Sequence, residues 1–400
     1  MDLISPHPFW PLKNGLLGVY PSLKEDLECE VIVLGAGITG ALVAHHLVEA
    51  GLDVAVVDKR EVATGSTSAS TALLQYEIDT PLTELTELIG QTDAEQAYRV
   101  CLESIGKIER LCAELGDDCG FVNKPSIYLA TKTREVESLR AEWTARRKAG
   151  IAVDFLTEPE VSERFSFSRP AALLSHTAGE VDAYRLTHRL LARAQRNGAR
   201  IFDRTAVVKY DPHEKGIRLT TERGNTIRAR WAIFATGYEA VELLDRKVVN
   251  LKSSFAIVSE PLENFEGWWE RCLIWETARP YLYLRTTDDG RAIIGGEDDP
   301  FRNPIRRDAL VPKKAERLAK RFRELFPKID LEIAYAWAGT FGETEDGLAY
   351  IGSVPELPSC YFTLGFGGNG VTYSVVAAEI IRDTLLNRNN TDAHLFRFDR

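Results

Sequence analysis

The stretch EVIVLGAGITGALVAHHLVEAGLDVAVVD, residues 30–58, decides the fold. Val31 to Leu34 is a short β-rich apolar run ending at glycine, Ala41 to Ala50 has helical spacing and stops at Gly51, and Val54 to Val57 is a second apolar run. Strand, glycine turn, helix and strand in this order make a βαβ unit, whose strands run parallel in a sheet covered by helices. Gly35, Gly37 and Gly40 fit G-x-G-x-x-G, which says little alone in a chain with 29 glycines among 400 residues. Its place says more, because the triplet follows a strand, opens a helix, and is followed by Asp58 at the end of the next strand. Such a turn lets the backbone from Gly35 through Ala36, Ile38 and Thr39 approach a pyrophosphate, which the helix N-terminus attracts with free N–H groups and partial positive charge. Asp58 would then accept the ribose hydroxyls of a dinucleotide. The competing reading is a turn that only packs a helix tightly on a strand. Asp58 favours unphosphorylated ribose, as in NAD or FAD, although Lys59 and Arg60 beside it blur the exclusion of NADP.

Outward from this unit, residues 1–28 carry prolines together with Phe9, Trp10 and Tyr20 and read as an arm lying on the surface. Helices are predicted over 81–117, 132–149, 182–197, 313–325 and 372–386. Strands are predicted over 127–130, 201–202, 207–210, 217–221, 231–235 and 361–364. After about residue 250 the runs turn aromatic and alternating, as in Tyr281 to Arg285 and Arg291 to Ile294 around the turn Asp288-Asp289-Gly290, which is antiparallel sheet. The expected fold is α/β (α+β overall): a Rossmann-like dinucleotide domain from residues 1–80, 175–250 and 340–400, and an antiparallel-sheet domain from 81–174 and 251–339. A second glycine turn, Gly365-Phe366-Gly367-Gly368-Asn369-Gly370, feeds a helix but has no second strand and acid after it. It is either a structural turn or one that brings amides to an electron-rich ligand.

Composition removes other classes. A net charge of −10 with scattered Lys and Arg argues against nucleic-acid binding. Six cysteines without a CxxC pair argue against a metal site or disulfide framework and fit a reducing compartment, with the cytoplasm as the expected location. The amino terminus lacks the pattern of a secretory signal, and the apolar run Val31 to Ala44 is too short to span a bilayer, which needs roughly 20 residues. No H-E-x-x-H or G-x-S-x-G motif occurs.

The arm at Tyr20-Pro21-Ser22-Leu23, the Gly35 turn, Asp58-Lys59-Arg60 and GSTSAST from Gly65 to Thr71 resemble the opening of the D-amino acid oxidase-like FAD-dependent oxidoreductases. GEVDAYRL from Gly179, with Ala183 where proline is common, Ala235-Thr236-Gly237, YLYLRTTDDGRAIIGG from Tyr281, WAGTFGETEDGLAYIG from Trp337 and the Gly365 turn continue the resemblance in the same order. The resemblance implies FAD as cofactor, held by Gly65, Ser66, Thr67, Ser68 and Thr71, by Val207, by Ala235, Thr236 and Gly237, and by Gly367, Gly368, Asn369, Gly370, Val371 and Thr372. It also implies oxidation of the C–N bond of a small amine or amino acid, by hydride transfer to flavin N5 and on to oxygen or another electron acceptor. A 2-hydroxy acid or glycerol phosphate oxidoreductase and a non-catalytic flavin-binding factor are the other readings. Residues 59–72 contain no histidine, and Cys272 and Cys360 sit in no attachment motif, so the expected FAD is non-covalent.

Alternation puts Tyr281, Tyr283 and Arg285 on one face of a strand. In relatives acting on amino acids an arginine on this strand pairs with the substrate carboxylate, which makes Arg285 the candidate anchor; Tyr283 would orient the amine or close the pocket. Trp337, Phe341 and Phe366 are candidate walls, and Glu343 and Glu345 candidate partners for a cationic substrate end.

Overall fold

The computed structural model describes residues 2–244 and 246–400. Strands Leu27–Leu34 and Val54–Val57 pair in parallel from Val31 opposite Val54 to Leu34 opposite Val57, and helix Ile38–Glu49 makes the crossover. Their facing segments are buried on both sides, which is why they read as unbroken apolar runs. They lie inside an eight-stranded sheet ordered Tyr350–Ser353, Cys360–Leu364, Thr226–Phe234, Leu27–Leu34, Val54–Val57 and Arg200–Phe202, with the hairpin Val207–His213 and Gly216–Thr221 attached to Thr226–Phe234. Strand Leu27–Leu34 has Thr226–Phe234 on one side and Val54–Val57 on the other, both parallel to it. The crevice beyond the carboxyl ends of these three is the point where the strand order reverses, and ligands of open α/β sheets bind there. Helix Ile38–Glu49 packs between Ala183–Arg196 and Gly370–Leu385.

The second sheet has nine strands in the order Ile333–Glu343, Asn250–Ser259, Ala292–Pro300, Leu282–Thr286, Leu273–Glu276, Val122–Leu129, Ala171–Glu180 and Leu73–Leu74, with Val153–Thr157 beside Ala171–Glu180. Its neighbours are antiparallel except Leu273–Glu276 with Val122–Leu129. Helix Pro304–Leu325 covers one side through a cluster that includes Leu318, Phe322, Phe255 and Leu284. No helix among the described residues is long and apolar enough to cross a membrane.

Three expectations are corrected. The helical region 81–117 is two helices, Leu82–Ile89 and Gln91–Glu114, parted at Gly90, whose φ of 86° is the left-handed conformation glycine allows. The helix predicted over 313–325 begins at Pro304, with the Asn303 side chain accepting from the Arg306 amide at 2.9 Å. Pro312 lies inside it rather than at its start, because the helix tolerates the missing amide. The amino-terminal arm is not a surface feature: Phe9 and Trp10 are 2 % and 1 % exposed, and the Ser5 amide donates to Ala338 O at 2.9 Å. Its prolines marked irregular backbone correctly, but its aromatic rings gain more by burial than the reading allowed.

The glycine turn yields the first prediction. A Cβ on Gly40 would collide with the Gly35 carbonyl, a backbone atom that cannot swing away. Gly40→Ala should therefore destabilise the flavin-free chain by about 3 kcal/mol, seen as an earlier urea midpoint. An unchanged midpoint with cofactor affinity alone reduced would show that the residue serves the ligand and not the packing.

Candidate functional site

A cleft of about 510 Å³ lies between the carboxyl ends of the parallel strands and the antiparallel sheet, a size typical of small-molecule sites. At one end, Gly35 has a φ of 106°, and a Cβ there would strike the Ala235 carbonyl, so the strand ends of 27–34 and 226–234 meet backbone to backbone. A Cβ on Gly37 would lie 2.9 Å from Thr67 Oγ1, and that hydroxyl accepts the Ile38 amide at 2.9 Å, tying the Gly65 turn to the helix N-terminus. Asp58 accepts from the Ala36 amide at 2.7 Å and from the Arg60 amide at 2.8 Å, and burial pushes its carboxyl above the usual carboxylate range. Lys59 and Arg60 both pair with Glu239, at 2.8 and 2.6 Å, so a 2′-phosphate would have to compete with that carboxylate for them. Ser66, a residue of this wall, has its Oγ buried without a hydrogen-bond partner among the described residues.

The second glycine turn faces the same cleft. Asn369 Nδ2 donates to Gln75 O and Glu77 O, each at 3.0 Å, and the Gly368 amide donates to Asp79 Oδ2 at 3.1 Å. These bonds hold the start of helix Gly370–Leu385 so that Gly370 and Val371 line the cleft. Gly65, Thr71, Val207, Thr236 and Gly237 line it as well. Four expected contacts stand behind the wall instead: Ala36 serves Asp58, Gly40 packs on Gly35, Ser68 Oγ donates to Gly65 O at 2.8 Å, and Thr372 Oγ1 donates to Asn369 O at 2.9 Å.

The other end is aromatic. Trp275, Tyr281, Tyr283, Trp337, Phe341 and Phe366 line it, with Ser254 among them. The Tyr283 hydroxyl lies 3.2 Å from Ser254 Oγ, and its ring covers Gly295 so closely that a side chain there would overlap it. Burial pushes the Tyr283 phenol up to about 12, so it is a neutral hydrogen-bonding group and not a base.

Arg285 is not part of this wall, and the expectation that it grips substrate is corrected. Its Nη1 donates to Thr71 O at 3.1 Å, Ala72 O at 2.8 Å and Val181 O at 2.8 Å, and its Nε donates to Thr286 O at 2.8 Å. Glu180 lies 3.6 Å away, and the guanidinium sits 5.4 Å from the centre of the Trp10 ring. Trp10 Nε1 donates to Ser70 O at 2.6 Å and Trp337 Nε1 to Ala69 O at 2.9 Å. Four consecutive carbonyls, 69–72, are thus held by side chains from three distant segments. Ala72 is left-handed at φ 52°, a conformation that a residue with a Cβ keeps only when its surroundings enforce it. Glu343 pairs with Lys252 at 2.7 Å, and neither it nor Glu345 lines the cleft.

Sequence reading missed Gln75, Glu77 and Asp79. Leu73, Gln75, Glu77 and Asp79 line the cleft, although the Glu77 carboxylate meets Ser175 and Arg146 as the Tyr76 hydroxyl does, and the segment LLQYEID carries no motif to draw attention to it.

A switch-point crevice with a glycine turn, a ribose-type carboxylate and an aromatic far end defines an enzyme built around a dinucleotide cofactor. The chain belongs to the FAD-dependent oxidoreductase family, whose model matches residues 30–384, and FAD is the cofactor that the cleft accommodates. The chain is 27 % identical to the glycine oxidase of Geobacillus kaustophilus (strain HTA426), over 92 % of this chain and 96 % of that protein. It is 22 % identical to the γ-glutamylputrescine oxidoreductase of Escherichia coli (strain K12), over 92 % and 85 % of the two. The solved L-proline dehydrogenase of P. horikoshii shares the fold at a TM-score of 0.78 and 22 % identity, covering 94 % of this chain and 99 % of that one.

Arg285→Met should lower the free energy of unfolding by about 3 kcal/mol, because it frees four carbonyls and leaves Glu180 with Lys124, 3.7 Å away, as its remaining cation. Urea titration of flavin-loaded protein checks this. Unchanged stability with a raised substrate KM would return Arg285 to the reacting end.

Proposed function

We propose that this protein oxidises the C–N bond of a small amine or amino acid and passes the electrons to oxygen or another acceptor. The observation that carries the proposal is that one cleft is lined both by the Gly35 turn and Asp58 and by Trp275, Tyr281 and Tyr283. Bound FAD would supply the two-electron acceptor for the C–H bond next to nitrogen. The polypeptide's part is to orient and dry the site. Asp58, the Gly35 turn, Ser66 and Thr67 would hold the nucleotide end, and the helix N-terminus at Gly370 would place amides and partial positive charge at the opposite end of the cofactor. The aromatic walls exclude water, and the Tyr283–Ser254 pair offers neutral hydrogen bonds that orient a substrate without taking its proton irreversibly.

Among the described residues no cysteine or histidine lines the cleft, and the six cysteines are buried and unpaired, which supports a dissociable cofactor and a reducing, cytoplasmic setting. Anaerobic addition of amines to the FAD-loaded protein should bleach the flavin band near about 450 nm and yield an imine or its aldehyde or keto product. Bleaching only by hydroxy acids or glycerol phosphate would replace the C–N reading, and a band that no compound bleaches would leave a non-catalytic flavin protein. Asp58→Ala should weaken FAD binding about thirty-fold, the equivalent of about 2 kcal/mol for charge-assisted hydrogen bonds, in a flavin fluorescence titration.

A further inference from the structure

The second glycine turn is built around a carboxylate. Asp79 lines the cleft, is half-buried, and its Oδ2 accepts from the Gly368 amide at 3.1 Å. A Cβ on Gly367 would lie 2.8 Å from that same oxygen, and one on Gly368 would lie 3.6 Å from both carboxylate oxygens. Gly367 is also left-handed at φ 51°, so the absence of a side chain there serves the turn and makes room for Asp79 together. Spacing left this turn open between a structural role and a ligand-facing one, and it has both. One amide is taken by Asp79, while Gly370 and Val371, in the first turn of helix Gly370–Leu385, line the cleft. First-turn amides have no partner within their own helix and carry its partial positive charge.

An anion fixed on such a turn changes what the turn offers a cofactor. The helix amides stabilise negative charge that develops beside them, and a carboxylate on the neighbouring amide opposes it. The cations that face Asp79 offset it in part. Arg279 acts from an exposed position over the Tyr281 ring, where solvent screens it, and Lys252 is shared with Glu343 at 2.7 Å. Burial raises the Asp79 carboxyl, the Gly368 amide, Arg279 and Lys252 favour its ionised form, and Glu343 opposes it. Asp298 is the other acid that faces it, and the phenols of Tyr238 and Tyr281 nearby are raised by burial and neutral. We infer that Asp79 sets the reduction potential of the bound flavin: held on the Gly368 amide beside the helix N-terminus, its charge opposes the negative charge that reduction adds to the cofactor. The flavin is then held at a lower potential than the turn alone would give it, which strengthens it as a donor to its acceptor. The inference rests on the placement of FAD in this cleft and on no choice of substrate.

The test is the midpoint potential of the FAD-loaded protein, measured without substrate by equilibration with reference dyes at about pH 8, above the ordinary carboxylate range. The dissociation constant of oxidised FAD is measured alongside it. Asp79→Asn keeps an acceptor for the Gly368 amide and removes the charge. It should make reduced FAD bind about tenfold more tightly relative to oxidised FAD, a rise of about 30 mV for a two-electron couple, with oxidised FAD held within about threefold of the unmodified protein. Lys252→Met strips a cation that faces the same carboxylate and leaves the turn untouched, so it should lower the potential, which a loss of packing at the turn would not do. An unchanged or lower potential in Asp79→Asn, or an unchanged or higher one in Lys252→Met, overturns the inference. Anaerobic bleaching by amines is read separately. Its failure would remove amine oxidation and leave the potential shift standing, whereas a missing shift would remove the role of Asp79 and leave amine oxidation standing.

Discussion

The site depends on how the segment after the Gly65 turn is held. Residues 65–71 form a wall of the nucleotide end and residues 73–79 a wall of the reacting end, so the short stretch between them sets the relation of the two. Its four carbonyls at 69–72 accept from Trp337, Trp10 and Arg285, which come from the antiparallel sheet, the amino-terminal arm and the strand that also carries Tyr283. Buried carbonyls must find donors, and here each donor belongs to a large side chain that is itself nearly inaccessible. The left-handed Ala72 shows the direction of the constraint: the surroundings impose the backbone, and the backbone then carries Gln75 and Asp79 along the cleft wall. This accounts for an arm that folds inward. Without Phe9 and Trp10 the Ser70 carbonyl would lose its partner and Trp337 a ring packed 6.4 Å away.

The dinucleotide end was legible because its chemistry is backbone chemistry. A turn that admits no Cβ at Gly35 or Gly40 has to be written with glycine, a parallel strand buried on both faces has to be written with an apolar run, and the acid at the end of the second strand is fixed in position by the first two. Local rules of this kind leave few alternatives, so residues 30–58 could be read without tertiary information, whereas spacing left the glycine turn before Gly370 open between a structural turn and a ligand-facing one. The buried arm was not legible in the same way. Prolines report local dihedral angles, whereas burial of Trp10 is decided by a carbonyl sixty residues further along the chain.

Arg285 shows where such reading stops. Alternation along Tyr281, Tyr283 and Arg285 gave the shared face correctly, since the two tyrosines line the cleft and the guanidinium points to the same side of the sheet as the 71–72 carbonyls. Alternation gives a face and not a distance along the strand. Arg285 does not line the cleft; it stands behind the cleft-lining Thr71 and Ala72 and gives its donors to their carbonyls and to that of Val181. An arginine on a strand is equally suited to a ligand carboxylate and to a set of carbonyls, because its donors are arranged in the same planar fork for either task.

Moving that arginine out of the reacting end changes the electrostatics of what remains. A guanidinium at Arg285 committed to carbonyls keeps Glu180 paired but contributes no positive charge to the wall lined by Glu77 and Asp79. Burial raises the carboxyls of Glu77 and Asp79, against the opposing pull of Arg146 on the first and of Arg279 and Lys252 on the second. The same carbonyl clamp that holds the segment after the Gly65 turn therefore also keeps the Arg285 guanidinium out of the far wall, so one buried side chain links the backbone of that segment to the charge around the cleft.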